Sequence, residues 1–480
     1  MKPIVFGTDG WRGVIADDFT FERVAVVSHA AGRYFHEEGT AAQGLAIGYD
    51  NRFASAEFAA LAATMLTRQG IAVSLSACSI PSPVLSFHIV RHTLGGGLMI
   101  TASHNPAQYN GVKIKPWFGG SASPEATKAI ERLANALLGD PIIDEARAKG
   151  ANPTLLATDD FVAGYVQHVL RFVDLDAIQG AQLGMMVDAL YGSSIGVLDR
   201  ALAEAGVRVR LLHGEHNPGF GGLHPEPVPD NLRALMREVT EHGLAGAVAS
   251  DGDGDRLSAV TEAGDYVSPH HVFALLLIHL VEGRGMTGGV VKTVSTSTMI
   301  NQLAERYDLP LHETPIGFKY IAQLMMEDDI LIGGEESGGI GIKGHIPERD
   351  ATLAALLLAE MMAMRKTTLG GLMRLLRERV GEHAYDRIDL KLTAPVTPEQ
   401  RERLRALVPD AMNGVPLTDM SERDGLKLWF ANGDWLLLRA SGTEPVLRVY
   451  AESDAMDKVQ ALLKAGVELV ERASIERAAT

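Results

Sequence analysis

A single cysteine, Cys78, stands in a chain of 480 residues, so no disulfide forms within it and a reducing compartment fits best. Set between Ala77 and Ser79-Ile80, it reads as a thiol packed in the core. Long apolar runs are also lacking. The most hydrophobic segments, Val272–Val281 and Ala351–Met364, fall short of the ~20 residues that span a bilayer and read as buried helices. The start, Met1-Lys2-Pro3-Ile4-Val5-Phe6-Gly7, has no apolar run of the signal-peptide kind, which predicts a cytoplasmic protein with no membrane partner. Positive charge is in deficit, with 44 Lys and Arg against 60 Asp and Glu and a net charge of −16. A nucleic-acid partner needs an excess of cations, so this balance argues against one; small anionic substrates need only a few local cations.

What is present is enough chain for several cores: at roughly 100–200 residues per domain the length predicts about three or four. Apolar strands at Gly44–Gly48, Ile71–Leu75 and Leu98–Ile100 alternate with helical spacing at Phe21–Phe35 and Ser55–Arg68. Ser123-Pro124-Glu125 is a helix start, with a capping hydroxyl, proline at the first position and an acid in the first turn. The alternation predicts α/β layers with largely parallel pairing. A polar stretch from Gly139 to Asp160 reads as the first boundary, and further α/β units start near Leu183-Gly-Met-Met-Val187 and Gly288-Gly-Val-Val-Lys292. From Ala384 the pattern turns strand-rich (Arg387–Leu392, Lys427–Phe430, Trp435–Leu438, Leu447–Tyr450) before a helix near Ala455–Arg472. The expected domains are 1–155, 156–268 and 269–383, each α/β/α, and 384–480, a smaller α+β unit.

One pattern occurs three times: a short apolar strand running into a loop of glycines and reactive side chains. Leu98-Met-Ile100 leads into Thr101-Ala102-Ser103-His104-Asn105-Pro106, Ala247-Val-Ala249 into Ser250–Arg256, and Ile330-Leu-Ile332 into Gly333–Gly339. Ligands in open α/β sheets bind beyond the carboxyl ends of strands. The first loop offers a hydroxyl, Ser103. The second offers Asp251, Asp253 and Asp255 at alternating positions, oxygen ligands suited to a hard cation such as Mg2+. Together they point to metal-assisted chemistry on a phosphoryl group carried by serine. Arg439-Ala-Ser441-Gly442-Thr443, between two strands, has the fork, hydroxyls and freed N–H groups of a phosphate nest.

Other readings stand beside these. Glu262 falls twelfth from Asp251, as in an EF-hand, but Arg256 stands where that loop needs glycine. A solvated acidic turn without metal is a further reading. Gly192-Ser-Ser194-Ile-Gly196 matches the nucleophile elbow of serine hydrolases, and Ser103 itself has the alternative role of a cap. A non-catalytic calcium or sugar-phosphate binder is the remaining class.

Taken together, the motifs resemble the α-D-phosphohexomutase superfamily over nearly the whole length, in the family's order. Phe6-Gly-Thr-Asp-Gly-Trp11-Arg12-Gly13 is similar to its N-terminal arginine loop, Thr101–Pro106 to its phosphoserine loop, and Asn110-Gly111-Val-Lys113 to the segment after it. Asp251–Arg256 is similar to the Mg2+ loop, Gly334–Gly338 to the sugar-recognition loop, and Arg439–Thr443 to the fourth-domain phosphate loop. The resemblance implies three tandem α/β/α domains with mixed sheets and a smaller C-terminal α+β domain around one central cleft. It implies a phosphohexomutase, an isomerase working through phosphoserine 103 and a hexose 1,6-bisphosphate that serves as intermediate and activator. One Mg2+ is implied, on Ser103, Asp251, Asp253 and Asp255, with Arg12, His104 and Lys113 as further catalytic groups. Substrate contacts are implied for Arg256, Gly317, Lys319, Glu335, Ser337 and Arg349, and phosphate contacts for Arg439, Ser441, Gly442, Thr443 and Arg448. The partners implied are hexose phosphates, to a monomer or homodimer.

The Gly-Glu-Glu-Ser-Gly sugar loop resembles that of glucose-selective phosphoglucomutases. Dual phosphomanno/phosphoglucomutases typically have Met in place of Glu336, phosphoglucosamine mutases have Gln, and both usually follow the loop with His where this chain has Gly339. The run His345-Ile-Pro-Glu348-Arg349-Asp350 resembles one of the glucose branch that has lysine at the place of Arg349. Arginine stays protonated, so it binds phosphate but is a poor base. The N-terminal Gly-Thr-Asp-Gly resembles the phosphoglucosamine group instead. The expectation is phosphoglucomutase, with phosphomannomutase or dual specificity, and then phosphoglucosamine mutase, as alternatives.

Overall fold

The structure is a computed structural model that describes residues 2–7, 10–441, 445–475 and 477. The chain divides into two compact units, Met1–Val291 with Gly317–Arg374, and Lys292–Ile316 with Leu375–Thr480. Three α/β/α domains with mixed sheets are followed along the sequence by a smaller α+β one.

In the larger unit the first sheet has six strands, in the order Trp11–Val14, Tyr109–Pro116, Gly96–Ile100, Leu45–Tyr49, Val73–Ser76 and Leu156–Asp159. The three pairs among the last four strands are parallel, and the first two pairs are antiparallel. Helices Phe21–Glu37, Ser55–Thr67 and Pro124–Ala136 cover it, burying Val24, Val27, Phe35, Phe58, Leu66 and Ile130. Ser123 caps the last of these as its sequence predicts, accepting from Ala126 N. The polar stretch read as a boundary is not a plain linker: it holds the helix Pro141–Ala148, and Leu156–Asp159 is the edge strand of this sheet. Its exposed polar face hides the strand signal, since Ala157, Thr158 and Asp159 all face solvent.

The second sheet runs Tyr266–Val267, Leu257–Thr261, Gly246–Ser250, Gly184–Asp188, Arg208–Leu212. Farther along, Ile330–Gly334 and Ile340–Ile342 form an antiparallel hairpin, Gly334 opposite Ile340. The two most apolar segments are buried helices, Pro269–Ile278 and Ala351–Arg365. No helix among the described residues is long and apolar enough to cross a membrane. Cys78 is exposed, against its reading as a core thiol; it follows the edge-side strand Val73–Ser76 in a bend rather than in a packed layer.

The smaller unit carries an all-antiparallel sheet of six strands, ordered Ala384–Lys391, Val446–Ser453, Trp435–Ala440, Leu426–Phe430, Val415–Ser421 and Ala411–Met412. Helix Met456–Arg472 packs on it through Val459, Leu462, Leu463 and Val470. The strands Val415–Ser421 and Ala411–Met412 and the helix Pro398–Ala406 escape a sequence reading because they are short or mostly exposed.

Candidate active site

In the larger unit two of the three strand-end loops meet at a hydrogen bond. Strand Gly96–Ile100 delivers Ser103, buried and in the left-handed region at φ 53°. Strand Gly246–Ser250 delivers Asp251, whose Oδ2 accepts from Ser103 Oγ at 3.0 Å. The acidic loop then returns as strand Leu257–Thr261, with Leu257 opposite Ser250. Asp251 Oδ1 holds this turn closed by accepting from the backbone N–H of Asp255 and Arg256, and Gly254, at φ 67°, supplies the left-handed step. Two strands rather than two helices flank the loop, and Glu262 accepts instead from Thr368 Oγ1 and Gly370 N, so this is not an EF-hand. Ser194 of the hydrolase-like motif is buried and paired with the Ser250 hydroxyl at 2.5 Å.

Three carboxylates, Asp251, Asp253 and Asp255, are fully buried, and their oxygens come within 4.8 Å of one another. Lys113 Nζ donates to Asp253 Oδ2 at 2.7 Å and to Asp255 Oδ2 at 3.2 Å. Burial and the two neighbouring aspartates push the Asp251 carboxyl well above its ordinary range. Burial acts the same way on Asp253, but the Lys113 ammonium and the Ser82 hydroxyl outweigh it and hold that carboxyl down. Asp253 Oδ1 and Asp255 Oδ1 are buried and lack a hydrogen-bond partner among the described residues. Buried carboxylate oxygens without a hydrogen bond are costly, and an all-oxygen set suits a hard divalent cation. The residues fit one.

His104 Nδ1 is likewise buried without a partner among the described residues. Burial, with Arg256 and Arg12 nearby, holds its imidazole well below the ordinary range, so the ring is neutral at neutral pH. Arg12 Nη1 donates to Asn105 Oδ1 at 2.7 Å and so braces the same loop.

The third strand-end loop joins this cluster through arginine. Leu257 N donates to Gly338 O at 3.0 Å, and Arg256 pairs in a bridge with Gly339. Arg349 Nη2 lies 2.9 Å from Asp255 Oδ2, its Nε 3.1 Å from Glu348 Oε1 and its Nη1 3.6 Å from Glu335 Oε2. Glu335 Oε1 accepts from Gly317 N at 3.2 Å. Ser337 and Glu336 are half-buried in the same loop. Lys319 instead lies over the Tyr320 ring and lines a cavity of about 590 Å³ with Tyr34, Trp117 and Phe118.

The sequence reading passes over Lys115 and gives no role to Asp350. Lys115, buried and ion-paired with Glu348, alternates with Lys113 on strand Tyr109–Pro116, and that period of two is the signal that both face one side. Asp350 caps the helix Ala351–Arg365 and also accepts from Tyr165 Oη at 2.7 Å and pairs with His345 Nε2 at 2.8 Å, which anchors the Glu348-Arg349 segment.

In the smaller unit Arg439 and Arg448 are cross-strand partners. Arg439 Nε donates to Asp424 Oδ2 at 3.0 Å, Arg448 Nε to Asp389 Oδ2 at 3.3 Å, and Ser441 N to Val446 O at 2.8 Å. Gly442 and Thr443 lie outside the described residues.

Comparison with known proteins meets this geometry. Residues 3–138, 163–264 and 268–379 match alpha/beta/alpha domains I, II and III of phosphoglucomutase/phosphomannomutase, and 389–469 match its C-terminal domain. The chain belongs to the phosphoglucomutase/phosphomannomutase family of α-D-phosphohexomutases. Its activity is that of a phosphohexomutase, an isomerase. It is similar to a phosphoglucomutase/phosphomannomutase of Thermococcus kodakarensis, 27% identical over 98% of this chain and 99% of that one. It is 30% identical to a phosphoglucosamine mutase of Synechococcus sp. (strain WH7803), over 94% of this chain and 91% of the relative. Among solved structures, a candidate phosphomannomutase from Thermus thermophilus superposes with a TM-score of 0.86 at 34% identity, covering 98% and 99% of the two chains.

Proposed function

We propose that the chain interconverts glucose 1-phosphate and glucose 6-phosphate in the cytoplasm, as a monomer or homodimer, with Ser103 as phosphoryl carrier. The observation that carries this reading is the Ser103 Oγ contact with Asp251 inside the buried carboxylate cluster. In the first half-reaction the bond from phosphorus to Ser103 Oγ breaks as one forms to a sugar hydroxyl oxygen, and the proton of that hydroxyl ends on Oγ; the second runs in reverse at the other phosphate, the proton returning from Oγ to the sugar oxygen released. The hexose 1,6-bisphosphate then presents its other phosphate, and Ser103 takes it back. Asp251, Asp253 and Asp255 would hold Mg2+, which supplies charge neutralisation at the phosphoryl oxygens. Lys113, Arg12 and Arg256 add fixed positive charge, and neutral His104 donates or accepts without adding any. Such transfer is mostly positioning and electrostatics. Glu335 and Ser337 grip sugar hydroxyls, with Gly317 N and Arg349 holding Glu335 in place; Lys319, turned to Tyr320 and the cavity beside Trp117, is assigned no sugar contact. Arg439, Ser441, Gly442, Thr443 and Arg448 are assigned a phosphate that is not reacting. The working domains are 1–155, extended through the edge strand Leu156–Asp159 that completes its sheet, then the remainder of 156–268, 269–383 and 384–480.

The preference for glucose rests on Glu336 and on Gly339 beside Arg349. Names among the relatives divide between glucose, mannose and glucosamine phosphates, so parallel assays with the three sugar 1-phosphates are the test. Glucose 1-phosphate is expected to lead mannose 1-phosphate by roughly ten- to a hundredfold in kcat/KM, the worth of one unpaired buried hydrogen bond. Equal values place the enzyme in the dual-specificity class. A lead for glucosamine 1-phosphate overturns the glucose reading. Intact mass is expected to show one added phosphate on the Thr101–Pro106 peptide, absent in Ser103→Ala together with nearly all activity.

A further inference from the structure

Strand Leu45–Tyr49 lies beside Gly96–Ile100 in parallel, Tyr49 level with Ile100, so both chains leave the sheet at the same edge. The serine loop leaves one, and Asp50-Asn51-Arg52 leaves the other. Asp50 and Arg52 are buried, and they are ion-paired with both side chains fully covered.

Every N–H of the Arg52 side chain has an acceptor. Nε donates to Asp50 Oδ2 at 3.1 Å. Nη1 donates to the carbonyls of Pro106 at 2.8 Å and Tyr109 at 3.0 Å. Nη2 donates to the carbonyls of Ser103 and Asn105, both at 2.6 Å. One planar guanidinium therefore gathers three carbonyls of the serine loop and that of Tyr109, where the next strand begins. Lysine, with three donors radiating from one point, cannot reproduce that set. The Phe220 ring closes the other side, 4.9 Å from the guanidinium carbon.

Asp50 holds the opposite end of the same peptide. Its Oδ2 accepts from Thr101 Oγ1 at 2.6 Å, and Thr101 Oγ1 in turn accepts from Ser103 N at 2.9 Å. Its Oδ1 accepts from Ser55 Oγ at 2.7 Å and Arg52 N at 3.0 Å. The amide and the carbonyl of Ser103 are thus both tied to one buried ion pair. Gly252 presses on that carbonyl as well, since a Cβ there would stand 2.5 Å from Ser103 O. Ser103 sits at φ 53°, where residues with side chains persist only if their surroundings over-determine them.

We propose that Asp50 and Arg52 are positioning residues for phosphoryl transfer: they hold the Ser103 peptide from both sides and thereby aim its Oγ into the carboxylate cluster. The inference rests on the reading of Ser103 as phosphoryl carrier. Neither residue touches the substrate, so its signature is a slower transfer step with unchanged sugar binding.

The experiment loads wild-type enzyme and Arg52→Lys with glucose 1,6-bisphosphate. It then measures phosphate on the Thr101–Pro106 peptide by mass, and the single-turnover rate constant for its transfer to glucose 1-phosphate. A rate constant, unlike a steady-state rate, does not fall when a fraction of the protein is unfolded. The expected result is a transfer constant lower by about ten- to a hundredfold, as for a misplacement of ~1 Å. The glucose 1-phosphate Kd, read by calorimetry on the Ser103→Ala background with and without Arg52→Lys, is expected to stay within about twofold. A transfer constant equal to wild type overturns the proposal, and so does a loss seen wholly in Kd. If Arg52→Lys shows no cooperative thermal transition, Thr101→Val takes its place. It removes only the hydroxyl between Asp50 and Ser103 N, and the same slowing with unchanged Kd is expected. A wild-type enzyme that takes no phosphate on Ser103 overturns the carrier reading and this inference with it. Phosphate on Ser103 with unaltered transfer in the variants overturns this inference alone.

Discussion

Gly339 and Arg349 compete for one space: a Cβ on Gly339 would stand 2.6 Å from Arg349 Cγ and collide with its Cδ. The bare backbone at 339 lets the arginine lie flat and reach both Asp255 and Glu335. Its far end is fixed by carboxylates, so the chain cannot swing aside cheaply. Gly339→Ala is expected to cost about 1–3 kcal/mol of stability, as overpacking does. It should also lower kcat/KM. In Gly339→Ala/Arg349→Ala the stability cost of the alanine at 339 should largely vanish. Thermal and urea unfolding of the four proteins of this double-mutant cycle measures the coupling.

Chelation with EDTA is expected to silence the enzyme, and Mg2+ to restore it. Asp253→Asn keeps the shape and removes one ligand charge from the cluster. The Mg2+ concentration for half-maximal activity should rise by at least about tenfold, because ligand charge count tunes such sites. A titration curve unchanged from wild type rules Asp253 out as a ligand.

Glu335→Gln is expected to lower kcat/KM for every sugar accepted, since it removes charge facing Arg349 and the hydroxyls alike. Substitution of Glu336 should instead change the ratio between glucose and mannose 1-phosphates. Steady-state kinetics with both sugars separates the two roles.

Away from the site, Glu360 gives the fold an acid-dependent increment. Burial raises its carboxyl, but His279 Nε2 at 2.6 Å and the Arg284 fork at 2.8 and 2.9 Å outweigh it and hold it at about 2, from an ordinary 4.5. A carboxyl held down in the folded state stabilises above its unfolded value and loses that stabilisation as pH falls through the folded one. The window is therefore pH 4.5 down to about 2, and the increment is about 3 kcal/mol. Unfolding free energies of wild type and Glu360→Gln should differ most near neutrality and converge across that window.

The reactive loops were legible because each follows a strand made of small apolar residues, and because serine, alternating aspartates and a Gly-Glu-Glu-Ser run are chemically uncommon there. Asp50 and Arg52 follow a strand in the same way but were silent, since a lone Asp-x-Arg after Gly48-Tyr49 looks like a solvated turn. Only the parallel pairing of two strands distant in sequence puts that arginine under the serine loop. Lys115 was hidden similarly: its partner Glu348 lies 233 positions away. Strand Leu156–Asp159 escapes a sequence reading because three of its four residues are exposed, on both faces, so no hydrophobic alternation marks it.

Ser103, Asp251 and Glu335 each stand within three residues of the end of a fully buried strand, Gly96–Ile100, Gly246–Ser250 and Ile330–Gly334. These three groups thus sit just past the framework strands, whereas Arg12 and Lys113 lie within strands. Glu335, Glu336 and Ser337, the residues we propose face the sugar, lie outside the strands that make the cores. A lineage can exchange them for another set without repacking a sheet. Replacing all three at once should therefore change which hexose phosphate is accepted while leaving the unfolding temperature close to that of the parent chain.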